Sequence, residues 1–266
     1  MDVLTERSSR VVSYAKLHRA TVRRTENQFL AEGANAVRAA LDTGRAQEIL
    51  VRSSDADRHA EVLADASRAG VTIVEITDRA AEKLTDTTTA PGIFAVSSLL
   101  DATFDDVLAA RPRLLLAAVE PREPGNAGTL IRCADAMGAD AVVLLGDSVD
   151  PHNGKCVRAS AGSVFHLPIV RERDVFAGID AMSSTGLVTL ATAADGELSL
   201  DDADETLRGP TAWLLGNEAH GLDSAVLAAA DHRISIPIRG SAESLNVAAA
   251  AAICLYASAR VQNRPA

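Results

Sequence analysis

Three short stretches place chemically capable side chains where a strand should give way to a helix. The last of them reads Ile236-Pro237-Ile238, then four small or polar residues before Glu243, then Ser244-Leu245-Asn246. A short apolar strand ends at the proline, and residues 247–261 contain neither Gly nor Pro. Ser244 or Asn246 can cap that segment as a helix by accepting from the orphan amides of its first turn. Helix N-termini favour negative charge and offer free N–H donors. In open α/β sheets, ligands sit at the carboxyl ends of strands. The same pattern also describes an ordinary capped C-terminal helix.

The first stretch runs from Glu120 to Arg132, after the apolar residues 114–119. Gly128 and Arg132 are four apart and share one helix face. Gly128 adds no bulk beside Arg132, and the planar guanidinium fork suits bidentate binding of a phosphate. The alternative is a surface pair of Arg132 with Glu120 or Glu123. The middle stretch, residues 214–222, sets Glu218 beside Gly216 and Asn217 just past an apolar strand. A loop acid there could cap the following helix, although Asp223 could do so instead.

The elements that must carry these residues alternate along the chain. Residues 1–30 read as a basic helical segment. Strands are expected near 48–51, 71–76 and 93–97, with helices near 35–43, 55–69 and 78–84. That alternation indicates a small α/β domain over residues 1–105, and residues 99–112 read as a link. Residues 112–266 alternate more regularly. Strands are expected at 114–119, 141–145, 167–170, 187–191, 211–215 and 232–236, and helices at 127–137, 174–182, 224–230 and 245–261. Apolar strands without polar alternation suggest a parallel sheet covered on both faces. The fold class is therefore α/β, in two domains.

Composition narrows the function. The 266 residues are 47% hydrophobic, enough for a full core, and 3% aromatic, too few for a broad base-stacking platform. A net charge of −10 argues against indiscriminate nucleic-acid binding and against DNA as a partner. A local basic face can still exist within an acidic total. Arg7, Arg10, Lys16, Arg19, Arg23 and Arg24 could form one, or a solvated helix face. Cys133, Cys156 and Cys254 are scattered, which fits reduced thiols, a cytoplasmic location and no zinc site. Neither a signal peptide nor a membrane-spanning run is expected. The Gly-x-Gly-x-x-Gly fingerprint, a P-loop, a nucleophile elbow and a His-Glu-x-x-His helix are all missing from the sequence.

In this order and at these spacings, the three stretches resemble the three motifs of the SpoU/TrmH (SPOUT) family of RNA ribose 2′-O-methyltransferases, most closely those of the thiostrepton-resistance type. The matching residues are Asn126, Gly128 and Arg132; Gly216, Asn217, Glu218 and Gly221; and Ile236, Pro237, Ile238, Ser244, Leu245, Asn246 and Val247. The resemblance implies S-adenosylmethionine as methyl donor, no metal, and an RNA substrate, most plausibly 23S ribosomal RNA, with transfer RNA as the alternative. A catalytically silent RNA-binding protein on the same scaffold is the rival from another class. It also implies a ribosomal-protein-like (L30e-like) substrate-binding domain at the N-terminus, a trefoil knot in the C-terminal domain, and a homodimer. Catalytic roles fall on Arg132, Asn126, Glu218, Ser244 and Asn246. The donor falls to Gly216, Asn217, Ile236, Leu245 and Ala191. The basic N-terminal residues and Arg158, with Lys155 beside it, fall to RNA.

Overall fold

The computed structural model describes residues 3–217 and 219–262. Chain order begins α1 (Ser9–Ala15), α2 (Ala20–Glu26), β1 (Gln28–Glu32), α3 (Ala34–Asp42), β2 (Ala46–Arg52), α4 (Ala60–Arg68), β3 (Thr72–Ile76), α5 (Asp78–Leu84) and β4 (Ile93–Ser98). It continues with β5 (Asp101–Ala102), α6 (Phe104–Ala109), β6 (Leu114–Val119), α7 (Pro124–Ala136), β7 (Ala141–Leu145), α8 (Gly154–Ser160), β8 (Ile169–Glu172), α9 (Val175–Ser184) and β9 (Val188–Thr192). The last elements are β10 (Leu198–Ser199), α10 (Asp204–Leu207), β11 (Thr211–Leu215), α11 (Ser224–Ala229), β12 (His232–Ser235) and α12 (Val247–Gln262). No helix among the described residues is long and apolar enough to cross a membrane.

The chain divides into two compact units. Unit 1 takes the chain up to Leu100 and then Asp150–His166; unit 2 takes Asp101–Val149 and the chain from Leu167 onward. The second piece of unit 1 interrupts unit 2 along the sequence. Its apolar residues Cys156, Val157, Val164 and Phe165 are buried, and Phe165 stacks on Phe29 of β1 with ring centroids 5.7 Å apart. Burial of these side chains, not their place in the sequence, decides where the segment belongs.

Unit 1 is a four-stranded sheet ordered β1-β4-β2-β3. Strand β4 pairs antiparallel with β1 and β2, and β2 pairs parallel with β3. One face buries Leu30, Leu50, Val74, Ile76, Phe94 and Val96 against Val11, Leu17 and the apolar side of α5. The expected helix over 55–69 is shorter. Two single 3₁₀ turns, Ser53–Asp55 and Asp57–His59, precede α4.

Unit 2 is an eight-stranded sheet ordered β10-β12-β9-β11-β6-β7-β8-β5, and every pairing in it is parallel. Strands β6, β7 and β11 are buried along their whole length, which is why their sequences show no polar alternation. The link expected at 99–112 instead supplies β5 and α6, with the Thr103 hydroxyl capping α6 through the Asp106 amide. Asp231 fixes the register of β12: its carboxylate accepts from the amide and hydroxyl of Thr189, each at 2.8 Å. The long C-terminal helix is fastened in its last third. Trp213, fully buried on β11, donates from its indole nitrogen to the buried Ser258 hydroxyl of α12 at 2.9 Å.

Candidate active site

The three sequence motifs follow the carboxyl ends of β6, β11 and β12. Helix α7 starts at Pro124, earlier than the pattern suggests, with the proline at a first-turn position where no amide bond is lost. Asn126 therefore lies inside the first turn of α7 rather than in a preceding loop. Gly128 is buried and Arg132, one turn on, is exposed. Glu120 pairs with Arg122 at 3.2 Å, not with Arg132. Among the described residues no hydrogen bond or ion pair claims the Arg132 guanidinium, so its fork faces solvent uncommitted.

The loop after β11 is held by its own backbone. Asn217 and Gly221 exchange amide hydrogen bonds of 3.2 and 2.9 Å, and the Asn217 side-chain oxygen accepts from the amides of Ala219 and His220. Asn217 thus shapes the loop. At Gly216 a Cβ would stand 2.2 Å from the Gly221 carbonyl carbon and 2.4 Å from the Leu222 nitrogen, both backbone atoms. Only glycine fits there. Glu218, the acid expected in this loop, lies outside the described residues. Asp223 caps α11 through the Ala225 amide, as the sequence allowed.

A cavity of about 190 Å³ opens between the ends of β9 and β12 and the start of α12. Ile236 and Leu245, expected at the donor site, line it together with Ser244, expected in a catalytic role. Ile234, Ile238 and Ala250 add apolar surface, and Thr192, Ala193, Ala194 and Glu243 complete the wall. Ala191 does not reach it. That residue is fully buried and paired in the ladder on both sides, opposite Leu214 and Arg233. The wall is made instead by the three residues that follow, where β9 ends. Residence just past a strand's carboxyl end is the signal that could have found Thr192–Ala194 in the sequence. Asn246 is committed to the helix: its side-chain oxygen accepts from the Ala248 amide at 2.9 Å. Asn126, Arg132, Gly216 and Asn217 are not part of the cavity wall.

Helix α7, which carries Arg132, packs on α12. The contact is tightened by the Cys133 thiol, which donates to the Ala248 carbonyl, and burial pushes that thiol's pKa up. Cys156 and Cys254 are buried more deeply, and burial raises Cys156 to about 12. The thiols are packing groups rather than nucleophiles.

The basic residues of unit 1 divide sharply. Arg7, Arg10, Lys16, Arg19 and Arg24 are exposed. Arg10 reaches Glu48 at 3.0 Å, and Glu48 also accepts from the Tyr14 hydroxyl at 2.8 Å. Burial and that hydrogen bond push Tyr14 up to about 12. Arg23 corrects the expectation of an RNA contact. It is 2% exposed and donates to the carbonyls of Leu17 and His18 and to the Asp150 carboxylate. Burial alone would raise the Asp150 pKa. Hydrogen bonds from His152 and Arg23, with the Arg23 charge, outweigh it and hold this carboxyl well below the usual range. His152 accepts from the Leu100 amide through Nε2, which leaves its proton on the Nδ1 that faces Asp150. Arg158 is half-buried and paired with Glu32 and Asp86, so it too is largely spent within unit 1.

The chain thus combines a parallel α/β unit, with an open cavity at the carboxyl ends of its strands, and a second α/β unit. Residues 113–256 match the SpoU rRNA Methylase family, and residues 8–95 match the MRM3-like substrate binding domain; the chain belongs to the SpoU family. It is 36% identical over 256 residues to the 23S rRNA (guanosine(2553)-2′-O)-methyltransferase RlmP of Bacillus subtilis, covering 96% of this chain and 98% of that one. An AdoMet-bound rRNA methyltransferase from Sinorhizobium meliloti superposes with a TM-score of 0.83 at 28% identity, over 97% of each chain. The SpoU methyltransferase AviRb from Streptomyces viridochromogenes, in complex with AdoMet, gives 0.81 at 30% identity, over 96% of this chain and 98% of that one.

Proposed function

We propose that this protein transfers a methyl group from S-adenosylmethionine to a ribose 2′-hydroxyl of 23S ribosomal RNA, in the cytoplasm. The observation that carries the reading is the end-to-end similarity to RlmP, joined to a cavity whose walls suit the donor. Ile236, Ile238 and Leu245 can clamp the flat faces of an adenine, while Thr192 and Ser244 offer hydroxyls at its edge. The bound donor supplies a methyl group already activated as a sulfonium. What remains for the chain is to place the reactants and manage charge. The Arg132 guanidinium stays protonated. It anchors an RNA phosphate and stabilises negative charge on the 2′-oxygen as that oxygen takes the methyl group, its proton passing to solvent and the donor leaving as the neutral thioether. Gly216 lets the loop after β11 close without a side chain, Asn217 sets the shape of that loop, and Asn246 fixes the first turn of α12 beneath Ser244. Glu218 and Asn126 complete the site as orienting groups.

RNA affinity is assigned to the exposed Arg7, Arg10, Lys16, Arg19 and Arg24 of unit 1. A homodimer is supported by Ile253 and Tyr256, which stand 39% and 58% exposed on α12. A trefoil knot is supported by the chain path. Strand β12 lies on the far side of β9 from β11, while α12, next in sequence, packs against α7, β6 and β11. The deciding experiment maps 2′-O-methyl positions in 23S ribosomal RNA from cells with and without the gene, then restores the missing mark with purified protein and donor. A map that does not change overturns the reading.

A further inference from the structure

Among the ten described residues lining the cavity at the ends of β9 and β12, Glu243 alone is ionisable. The rest are aliphatic side chains, alanines and two hydroxyl residues. The cations nearest to it in sequence are engaged elsewhere. Arg239 pairs with Asp201 at 2.6 Å and Arg233 with Glu197 at 2.7 Å. Among the described residues no hydrogen bond or ion pair involves the Glu243 carboxylate. Among its described lining residues, the pocket therefore carries one uncompensated negative charge at its rim. Apolar walls lower the local dielectric, so a cation entering the pocket feels that charge more than it would in water.

We propose that Glu243 is a specificity-determining residue that reads the positive charge on the methyl donor. The inference rests on the donor reading of this cavity. S-adenosylmethionine and its demethylated product share the adenosine and the amino-acid end. They differ by one methyl group and by the positive charge on sulfur. Ile236, Ile238 and Leu245 contact shape and hydrophobic surface, which the two ligands have in common, and cannot distinguish them by charge. A carboxylate can. It favours the charged donor over the neutral product, so the site refills with donor after each turnover instead of being blocked by product. Because Glu243 is exposed, solvent screens the effect to about three- to tenfold.

The test is calorimetric affinity of the full chain for S-adenosylmethionine and for S-adenosylhomocysteine, in wild type, Glu243→Gln and Glu243→Asp. The wild type is expected to prefer the donor. Glu243→Gln should shrink the donor-to-product preference by about three- to tenfold, chiefly by weakening the donor, and Glu243→Asp should keep most of it. A residue that only shapes the loop would weaken both ligands alike. An unchanged preference in Glu243→Gln therefore overturns the inference, whether both affinities fall together or neither moves. A wild type that takes neither ligand overturns the donor reading itself, a different failure from an unchanged ratio.

Discussion

Arg23 of unit 1 and Arg132 of unit 2 are opposite uses of the same side chain. Arg23 is 2% exposed, and its donors are absorbed by Asp150 and by the carbonyls of Leu17 and His18. Arg132 stands on the outer face of α7 with no ion pair among the described residues. A buried guanidinium survives only when fully partnered, because an unpaired charge in the interior is costly. An exposed one loses little by waiting and can give its whole fork to an incoming phosphate. The same contrast separates Asn246, spent on capping α12, from Ser244 two residues earlier, which is exposed at the cavity.

The contrast breaks most visibly at the buried pair. Asp150→Ala strands Arg23 without its carboxylate and should destabilise the protein by about 3–5 kcal/mol, read as a lower denaturant midpoint at unchanged slope. Next in size is the exposed arginine. Arg132→Ala should leave the fold and donor affinity near wild type while cutting single-turnover methyl transfer by about 10²–10³. Arg132→Lys sharpens that result. If the planar fork matters, it should stay close to the Ala variant; if charge alone matters, it should recover much of the rate.

Gly216→Ala is a smaller perturbation. Its Cβ meets backbone rather than a movable side chain, so about 1–3 kcal/mol of strain is expected. Thermal melting and donor calorimetry should both register it. Acid supplies the gentlest probe. A carboxyl held below its ordinary range adds stability above an unfolded pKa of about 4 and loses it as pH falls toward the folded value. The melting-temperature gap between wild type and Asp150→Asn should therefore narrow as pH drops below about 4. A gap that stays constant in acid would remove Asp150 from the account of stability.

What could be read in the sequence follows from the range of the forces involved. Strands β6, β7 and β11 match their expected bounds residue for residue, because an uninterrupted apolar run is a local signal of a strand buried on both faces. Helix α5 is equally local, with Thr77 as its cap. Ile236, Ser244 and Leu245 were legible through their motif. The fate of Arg23 was not, because its partner Asp150 lies 127 positions away and only folding brings the two together. Glu243 and Thr192–Ala194 carry no motif of their own. They matter because β9 and β12 end side by side, a fact of strand order that local patterning does not contain.

The excursion of Asp150–His166 into unit 1 bears on how the molecule is made. Phe29 emerges from the ribosome early, but the Phe165 ring that stacks on it and the Asp150 carboxylate that receives Arg23 come much later. By then β6, α7 and β7 of unit 2 have already been synthesised. The nascent N-terminal sheet must therefore keep an apolar patch and a buried-to-be arginine waiting while part of the next domain is translated, an interval of several seconds at about 5–20 residues per second. The contacts of unit 1 with Asp150–His166 can therefore form only after that part of unit 2 has been translated.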